Sequence, residues 1–170
     1  MTQDTENNEE NIGNIAQSPV IIQSQFLKDM SFENPNAPEI LVRAETPPEV
    51  EVDISIDMNK LDHPEEEHYY EVILGIHAVA KRQEHTMFLA EIKYGASVFI
   101  NGLDEKKHHP VLFIEVPRMI FPFARQILSN ATQAGGYTAF NIALVNFRAM
   151  YLQRFGKKPN ETSDHADNVE

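Results

Sequence analysis

The sequence predicts an α+β fold in which a four-stranded antiparallel sheet is followed by two helices. In the first hundred residues apolar and polar side chains alternate with a period of two, most clearly over residues 50–58. The second half of the chain instead repeats apolar residues at helical spacing. Strands that come first and helices that follow are typical of the α+β class.

The first two strands are predicted over residues 21–32 and 50–58. Residues 21–32 are mixed in polarity, and Pro35 and Pro38 place a loop directly after them. In the second strand the even positions are apolar, whereas the odd positions carry acids or serine, so one face packs and the other meets water. Residues 61–68 then predict a charged loop.

The third and fourth strands, residues 69–80 and 86–100, are joined by a connection of hairpin length at residues 81–85. Both strands carry apolar side chains on both faces; Ile73 and Val79, for example, lie opposite the face of Leu74. Such strands are usually covered on both sides. A domain of this length has little left to cover a second face, so we expect a subunit contact or an apolar ligand there.

Two helices are predicted in the second half of the chain. Pro122 suits a first helical position, and an apolar face follows it before Gly135 and Gly136 end the helix. That face consists of Phe123, Ile127, Leu128 and Ala131. The last helix is expected to begin after Asn146 as N-cap, with a stripe formed by Phe147, Met150, Tyr151 and Phe155.

The domain organisation follows from composition. Residues 1–18 predict a disordered acidic tail, residues 19–156 a single domain, and residues 157–170 a flexible tail. The net charge is -12, and the excess of acids lies in the first 70 residues. Such a field repels nucleic acid and anionic membranes and attracts basic partners. Because no apolar segment could span a bilayer and no signal peptide is present, we expect a soluble protein.

Catalytic and metal-binding patterns are not found in the sequence. It has no glycine-rich phosphate loop and no cysteine, so neither nucleotide phosphates nor a thiol site is indicated. His108 and His109 are adjacent and would point apart, so we expect solvated loop side chains and no chelate. The acids of residues 50–58 are interpreted as a solvated strand face. We therefore predict a protein that is not an enzyme and needs no cofactor or metal.

One segment resembles a known family. Residues 28–33 read Lys-Asp-Met-Ser-Phe-Glu and residues 35–38 read Pro-Asn-Ala-Pro, which is similar to the first-strand signature of the SecB family. Residues 70–80, 88–100 and 120–137 and the segment from Asn141 support the match, which spans roughly residues 24–155. The family often carries a tryptophan before the second strand, where this chain has Ala44, Glu45 and Thr46.

The resemblance implies a cytoplasmic, ATP-independent export chaperone that binds unfolded secretory precursors and delivers them to the SecA ATPase. It also implies a homotetramer built as a dimer of dimers. By motif, the SecA-binding residues would be Asp29, Glu33, Leu89 and Glu91. The groove that binds client proteins would draw on Phe32, Phe121, Tyr137 and Phe140.

Two other functions remain open at this point. A SecB-like chaperone dedicated to a toxin–antitoxin pair would share the fold without needing the SecA-binding residues. A small-molecule-binding or enzymatic α+β protein would show saturable ligand binding and no preference for unfolded chains. The acids Asp29, Glu33 and Glu91 favour the export chaperone over the first of these.

Overall fold

One antiparallel sheet organises the protein, as the alternation predicts. A computed structural model describes residues 18–42, 46–64 and 67–156. The strands are β1 (Val20–Glu33), β2 (Glu49–Lys60), β3 (Tyr69–Arg82) and β4 (His85–Ile100). Their order across the sheet is β1-β4-β3-β2, so β1 and β2 are the two edge strands. The predicted tails, apart from Ser18, and the positions of Ala44 and Glu45 lie outside the described residues.

Helices cover one face of this sheet. The crossover from β1 to β2 contains a short helix, α1 (Glu39–Val42), which the prolines around it concealed from the sequence prediction. After β4 the chain runs through a 3-10 turn (Glu105–Lys107), α2 (His108–Pro110) and a π turn (Val111–Glu115) into α3 (Val116–Ala134). The last helix is α4 (Phe147–Phe155). Among the described residues no helix combines the length and the apolar character needed to cross a membrane.

The predicted start of the first long helix is wrong. Pro122 lies inside α3, and Pro117 occupies the first turn instead. A proline is tolerated in the first turn because its missing N–H has no intrahelical partner there. The sequence placed the start too late because the π turn and α2 already carry the chain in helical conformation before Val116.

The apolar face predicted for that helix is only partly correct. Leu128 and Ala131 are buried, whereas Phe123 is 50% exposed and stacks on Tyr94 with ring centroids 6.3 Å apart. The buried stripe instead begins at Val116 and continues through Ile120 and Ala124 to Leu128. In a single protomer this stripe packs inward, whereas Phe123 remains at the surface.

The hydrophobic core lies between the inner face of the sheet and these helices. Leu74 on β3 and Ile92 on β4 are completely or almost completely buried against Leu112, Ile120 and Leu128. Burying one such side chain contributes about 1.5–3 kcal/mol. The caps follow the prediction: Gly135 ends α3, and the Asn146 side chain accepts a hydrogen bond from the Ala149 N–H at 2.9 Å. The core thus fixes the inner face of the sheet against the helices.

Candidate functional site

The four residues assigned to SecA binding lie together on the outer face of the sheet. Glu33 on β1 is the direct cross-strand partner of Leu89 on β4, and Ser31 is the partner of Glu91. Directly opposite residues share a face, as do residues two apart on one strand, so Asp29 belongs to the same face. Asp29, Glu33 and Glu91 are exposed and Leu89 is half-buried. Glu33 and Glu91 therefore lie next to Leu89, and Asp29 lies farther along the same face, where its cross-strand partner is Lys93.

The acidic character of this outer face continues across β3 onto β2. Leu89 pairs with Val79, which pairs with Glu51, and Glu91 pairs with His77, which pairs with Asp53. The His77 ring nitrogens lie 3.9 Å from the Asp53 carboxylate and 3.9 Å from the Glu91 carboxylate. We call the four predicted residues with Glu51 and Asp53 the acidic face.

An ion pair lies on the part of the outer face that is farther from Leu89. The Lys28 ammonium lies 2.8 Å from the Glu71 carboxylate, which also accepts a hydrogen bond from Asn59. The hydrogen bond from Lys28 lowers the pKa of Glu71 below its usual value, with a smaller effect from Asn59 and some opposition from burial. The negative charge of Glu71 is therefore balanced by Lys28.

We expect Glu71→Gln to flatten the acid side of the stability profile. The folded-state pKa of Glu71 is depressed, so its contribution is present above the unfolded pKa near 4.5 and is lost as pH falls through the folded value. Because Lys28 is exposed and screened by solvent, the difference at pH 7 should stay below about 1 kcal/mol. Urea unfolding at pH 7 and pH 3, at fixed protein concentration, measures it. Lys28→Met should flatten the profile similarly; equal slopes for all three proteins would contradict the pairing.

On the inner face, three of the four predicted groove residues gather around a residue that the sequence analysis did not select. Phe88 on β4 stacks with Phe32 at 5.6 Å between ring centroids and contacts Tyr137 at 5.4 Å and Phe140 at 6.4 Å. Phe88 is 4% exposed and lies on the inner face of β4. Sequence alone does not identify Phe88 as a groove residue, because nothing in it shows that the segment after α3 folds back onto β4.

Phe88, Tyr137 and Phe140 border a surface cavity of about 260 Å³, which we call the crossover groove; Phe32 packs behind it on Phe88. Its walls come from the β1–β2 crossover on one side and from residues 136–140 on the other. Apolar lining residues include Ile40, Leu41, Val50, Phe88, Tyr137 and Phe140. A second cavity of about 550 Å³ adjoins it at Ile40 and Arg82 and is bordered by polar residues of the β3–β4 hairpin. The crossover groove is thus an apolar depression that continues into a polar one.

Hydrogen bonds from the motif residues hold the walls of this groove. The Asn34 side chain donates to the Gly135 carbonyl at 2.9 Å, and the Tyr137 hydroxyl contacts Asn34 Oδ1 at 2.6 Å and the Met87 carbonyl at 2.8 Å. Burial raises the pKa of the Tyr137 phenol, so it stays protonated and able to donate. The Phe140 N–H donates to the hydroxyl of the fully buried Thr132 at 3.0 Å. The groove is therefore preformed in the single chain.

Phe121 does not join this aromatic cluster. It is 3% exposed on α3 and packs edge-to-face on Phe147 of α4, with ring centroids 5.7 Å apart. The Arg125 guanidinium lies 5.9 Å from its ring centroid. In the single chain Phe121 therefore belongs to the packing between α3 and α4, and its assignment to the client groove stays a prediction.

Another apolar cavity lies between strand β2 and helix α4. It has a volume of about 280 Å³ and is formed by the β2 residues Ile54 and Ile56 together with Phe113, Met150, Tyr151 and Phe155. We call it the β2-edge groove. The helical stripe predicted for α4 contributes Met150, Tyr151 and Phe155 to it, but their partner strand could not be inferred from sequence.

The histidines next to each other in sequence are structural, and the expectation of solvated loop side chains is wrong. His108 is 4% exposed; its Nε2 lies 3.0 Å from the Leu103 carbonyl and its Nδ1 lies 3.1 Å from the Tyr70 hydroxyl. His109 contacts the Tyr151 hydroxyl at 3.0 Å. Both rings take part in packing because their segment is already helical. Within residues 18–42, 46–64 and 67–156, no three His, Cys, Asp or Glu side chains are arranged to hold a metal ion.

Comparison with known sequences gives a consistent result. A family model described as preprotein translocase subunit SecB matches residues 14–158. The protein-export protein SecB of Rhodospirillum rubrum is 40% identical over 138 residues, which cover 81% of this chain and 83% of that protein. The protein of the same name from Granulibacter bethesdensis is 35% identical over 154 residues, covering 87% of this chain and 89% of that protein.

A solved structure shares the fold. It is a SecB-like chaperone from Mycobacterium tuberculosis in complex with a peptide from an antitoxin, with a TM-score of 0.61 and 12% sequence identity. The match covers 74% of this chain and 90% of that one. At this identity the similarity concerns the sheet-and-helix architecture alone.

Proposed function

The chain belongs to the SecB family, and from this premise we propose that it holds unfolded secretory precursors in its apolar grooves and passes them to the SecA motor through its acidic face. The family assignment makes it a protein-export chaperone. We further propose that it acts in the cytoplasm without catalysing a reaction or using a cofactor.

Binding of unfolded precursors is assigned to the crossover groove. An unfolded chain exposes apolar side chains that would otherwise collapse or aggregate. The cluster of Phe32, Phe88, Tyr137 and Phe140 offers apolar and aromatic surface that is preformed by hydrogen bonds, which lowers the entropy lost on binding. This cluster is the observation that carries the proposal.

Docking of SecA is assigned to the acidic face. Leu89 supplies an apolar contact, and the exposed Asp29, Glu33 and Glu91 provide a field that attracts a basic surface. Because Phe32 and Glu33 are neighbours on one strand, the client surface and the motor surface lie on opposite sides of the same sheet. A client in the groove therefore leaves the acidic face free for the motor.

A homotetramer, built as a dimer of dimers, would account for the apolar surface that a single chain leaves open. Strand β1 has an unpaired edge with exposed Ile21, Leu27 and Met30, and α3 exposes Met119 and Phe123 beside it. Long apolar edge strands are ready to pair with another chain. Burial of these surfaces between subunits is the simplest arrangement that protects them.

The proposal is tested by measuring mass in solution together with capture of a slow-folding precursor, with and without SecA. We expect a tetramer that delays folding of the unfolded precursor, ignores the folded form and releases the client when SecA is present. Because the protein carries a net charge of -12 per chain, association with a positively charged client should slow as salt rises. A monomer that is indifferent to unfolded protein would refute the proposal.

A further inference from the structure

One arginine of the β3–β4 hairpin holds the crossover between β1 and β2. Arg82 is the last residue of β3. Its guanidinium donates from Nε to the Thr46 carbonyl at 3.0 Å and from Nη1 to the Ile40 carbonyl at 2.9 Å. Both acceptors belong to the crossover, because Ile40 lies within α1 and Thr46 lies shortly before β2. A single side chain therefore ties two points of this segment to the sheet.

The chemistry of the acceptors explains why a guanidinium suits this position. Helix α1 has only four residues, so its carbonyl groups cannot all bond within the helix. A planar guanidinium carries several N–H donors in a fixed arrangement and can satisfy two separate carbonyls, whereas a lysine ammonium acts as a point charge on a flexible stem. Arg82 is half-buried, and its hydrogen bond to Ile40 is part-buried. Water therefore competes only partly for this bond.

The residues that Arg82 holds form one wall of the crossover groove. Ile40 and Leu41 line the groove, and Arg82 lies where the groove meets the adjoining polar cavity. The opposite wall approaches closely, since a β-carbon at Gly136 would lie 3.1 Å from Leu41 Cδ1. Gly136 has a φ of +90°, which glycine adopts without strain. An outward movement of α1 would separate the two walls and widen the groove above Phe88.

We propose that Arg82 is a positioning residue of the crossover groove, which keeps α1 closed over the aromatic floor and thereby slows the release of a bound client. It acts through Ile40 and Thr46 and not through contact with the client. The start of the crossover is held separately, because the Asn36 side chain donates to the Thr86 carbonyl at 2.9 Å. Loss of Arg82 therefore loosens α1 without detaching the whole crossover. This inference rests on the proposed function, because the occupant of the groove is an unfolded precursor.

Two full-length variants and one control test this role. Arg82→Met removes the donors and keeps a long side chain, whereas Arg82→Lys keeps the charge but lacks the fork that joins the two carbonyls. Lys81→Met removes the same charge from the neighbouring exposed residue and is the matched control. The thermal midpoint of each protein shows whether it is folded.

The position of the crossover is measured with a spin label. Because the chain has no cysteine, Val42→Cys introduces a unique labelling site on α1, at a side chain that is 82% exposed. The same label on α3, introduced by Gln133→Cys at an exposed residue, is the reference. We expect the α1 label to become more mobile in both Arg82 variants and to stay as in the parent chain in Lys81→Met. The α3 label should not change in any of them.

Client release is measured with a fluorescent unfolded precursor, so that association and dissociation rates are separated. We expect the precursor to leave both Arg82 variants about three- to tenfold faster than the parent chain, which corresponds to the loss of about one hydrogen bond. Association should change by less than about twofold, because changes at one binding surface act mostly on dissociation. Lys81→Met should match the parent chain in both rates.

Each alternative gives a different result. Faster release with an unchanged α1 label would mean that Arg82 contacts the client directly, and a mobile label with unchanged release would mean that the crossover does not control the client. Full recovery by Arg82→Lys, or an equal effect of Lys81→Met, would mean that positive charge alone matters. Any of these results overturns the inference, as does a folded variant that matches the parent chain in both measurements.

Failure of the proposed function is distinguishable from failure of this inference. If the parent chain does not bind unfolded precursor, the proposed function is refuted, while the α1 label still decides whether Arg82 holds the crossover. If Arg82→Met does not fold, Arg82→Lys decides both questions alone, because it also loses the bridge between the two carbonyls.

Discussion

Reversing the charges of Glu33 and Glu91 together is expected to lower the affinity for SecA at least about tenfold, because each lysine places a like charge against a basic partner. Both carboxylates are exposed beside Leu89 on the outer face, so their replacement disturbs no core contact. Client capture uses the opposite face of the sheet and should be unchanged. The measurement is SecA binding at two salt concentrations, together with precursor capture by the same preparation.

Asp57→Lys is the matched control that separates the loss of a local docking contact from the effect of total charge. Asp57 lies on the same outer face but on β2, where its partner is Ile73, away from Leu89. Two units of charge are changed in the control and four in the double variant, so a purely bulk effect should scale with charge. If Asp57→Lys lowered the SecA-binding free energy by half as much as the double variant does, the effect would follow total charge. The acidic face would then have no localised docking site.

Phe88→Ala is expected to have the largest effect on the client surface. Phe88 is 4% exposed and contacts Phe32, Tyr137 and Phe140, so truncation leaves a cavity under all three rings. Such substitutions cost about 3–5 kcal/mol of stability. The surviving folded protein should also bind unfolded precursor several-fold more weakly, because the floor of the crossover groove is lost. Denaturant unfolding and client titration at fixed protomer concentration measure the two effects.

Phe121→Ala separates loss of stability from loss of the groove. Phe121 is 3% exposed and is also a core phenylalanine, but it packs on Phe147 at the contact between α3 and α4. The stability loss should be similar to that of Phe88→Ala, with little change in client affinity per folded protein. Equal weakening of client binding by both substitutions would instead support the assignment of Phe121 to the groove that its sequence position suggests.

Much of the sheet was predictable because its information is local. Alternation over residues 50–58 identifies β2 and its inner face, and the doubly apolar β3 and β4 are recognisable from their own residues. The helical half was harder. Pro122 could stand in the first turn of a helix or inside one, and the choice depends on whether the chain before it is already helical. Tertiary contacts such as that of His108 with Tyr70 hold the preceding segment in that conformation.

The binding surfaces show the same division. Motif similarity selected Asp29, Glu33, Leu89 and Glu91, and the strand register places them on one face. Phe88 could not be selected, because its role depends on residues 136–140 folding back over β4. No local pattern in the sequence encodes this approach.

The adjacency of Phe32 and Glu33 on β1 limits how this segment of the chain can change. Successive side chains on a strand point to opposite faces, but β1 accommodates one extra residue against β4 at each of two bulges, Gln23 and Lys28. From Asp29 to Glu33 the pairing with β4 is regular, so a one-residue insertion or deletion in this segment that is not absorbed as a further bulge would exchange the two faces for the later positions of β1. Phe32 would then leave Phe88 and enter water, while Glu33 would be driven towards the groove. Substitutions here alter one surface at a time, but a change in length reverses both at once. The number of residues between Asp29 and Glu33 is therefore constrained independently of their identity.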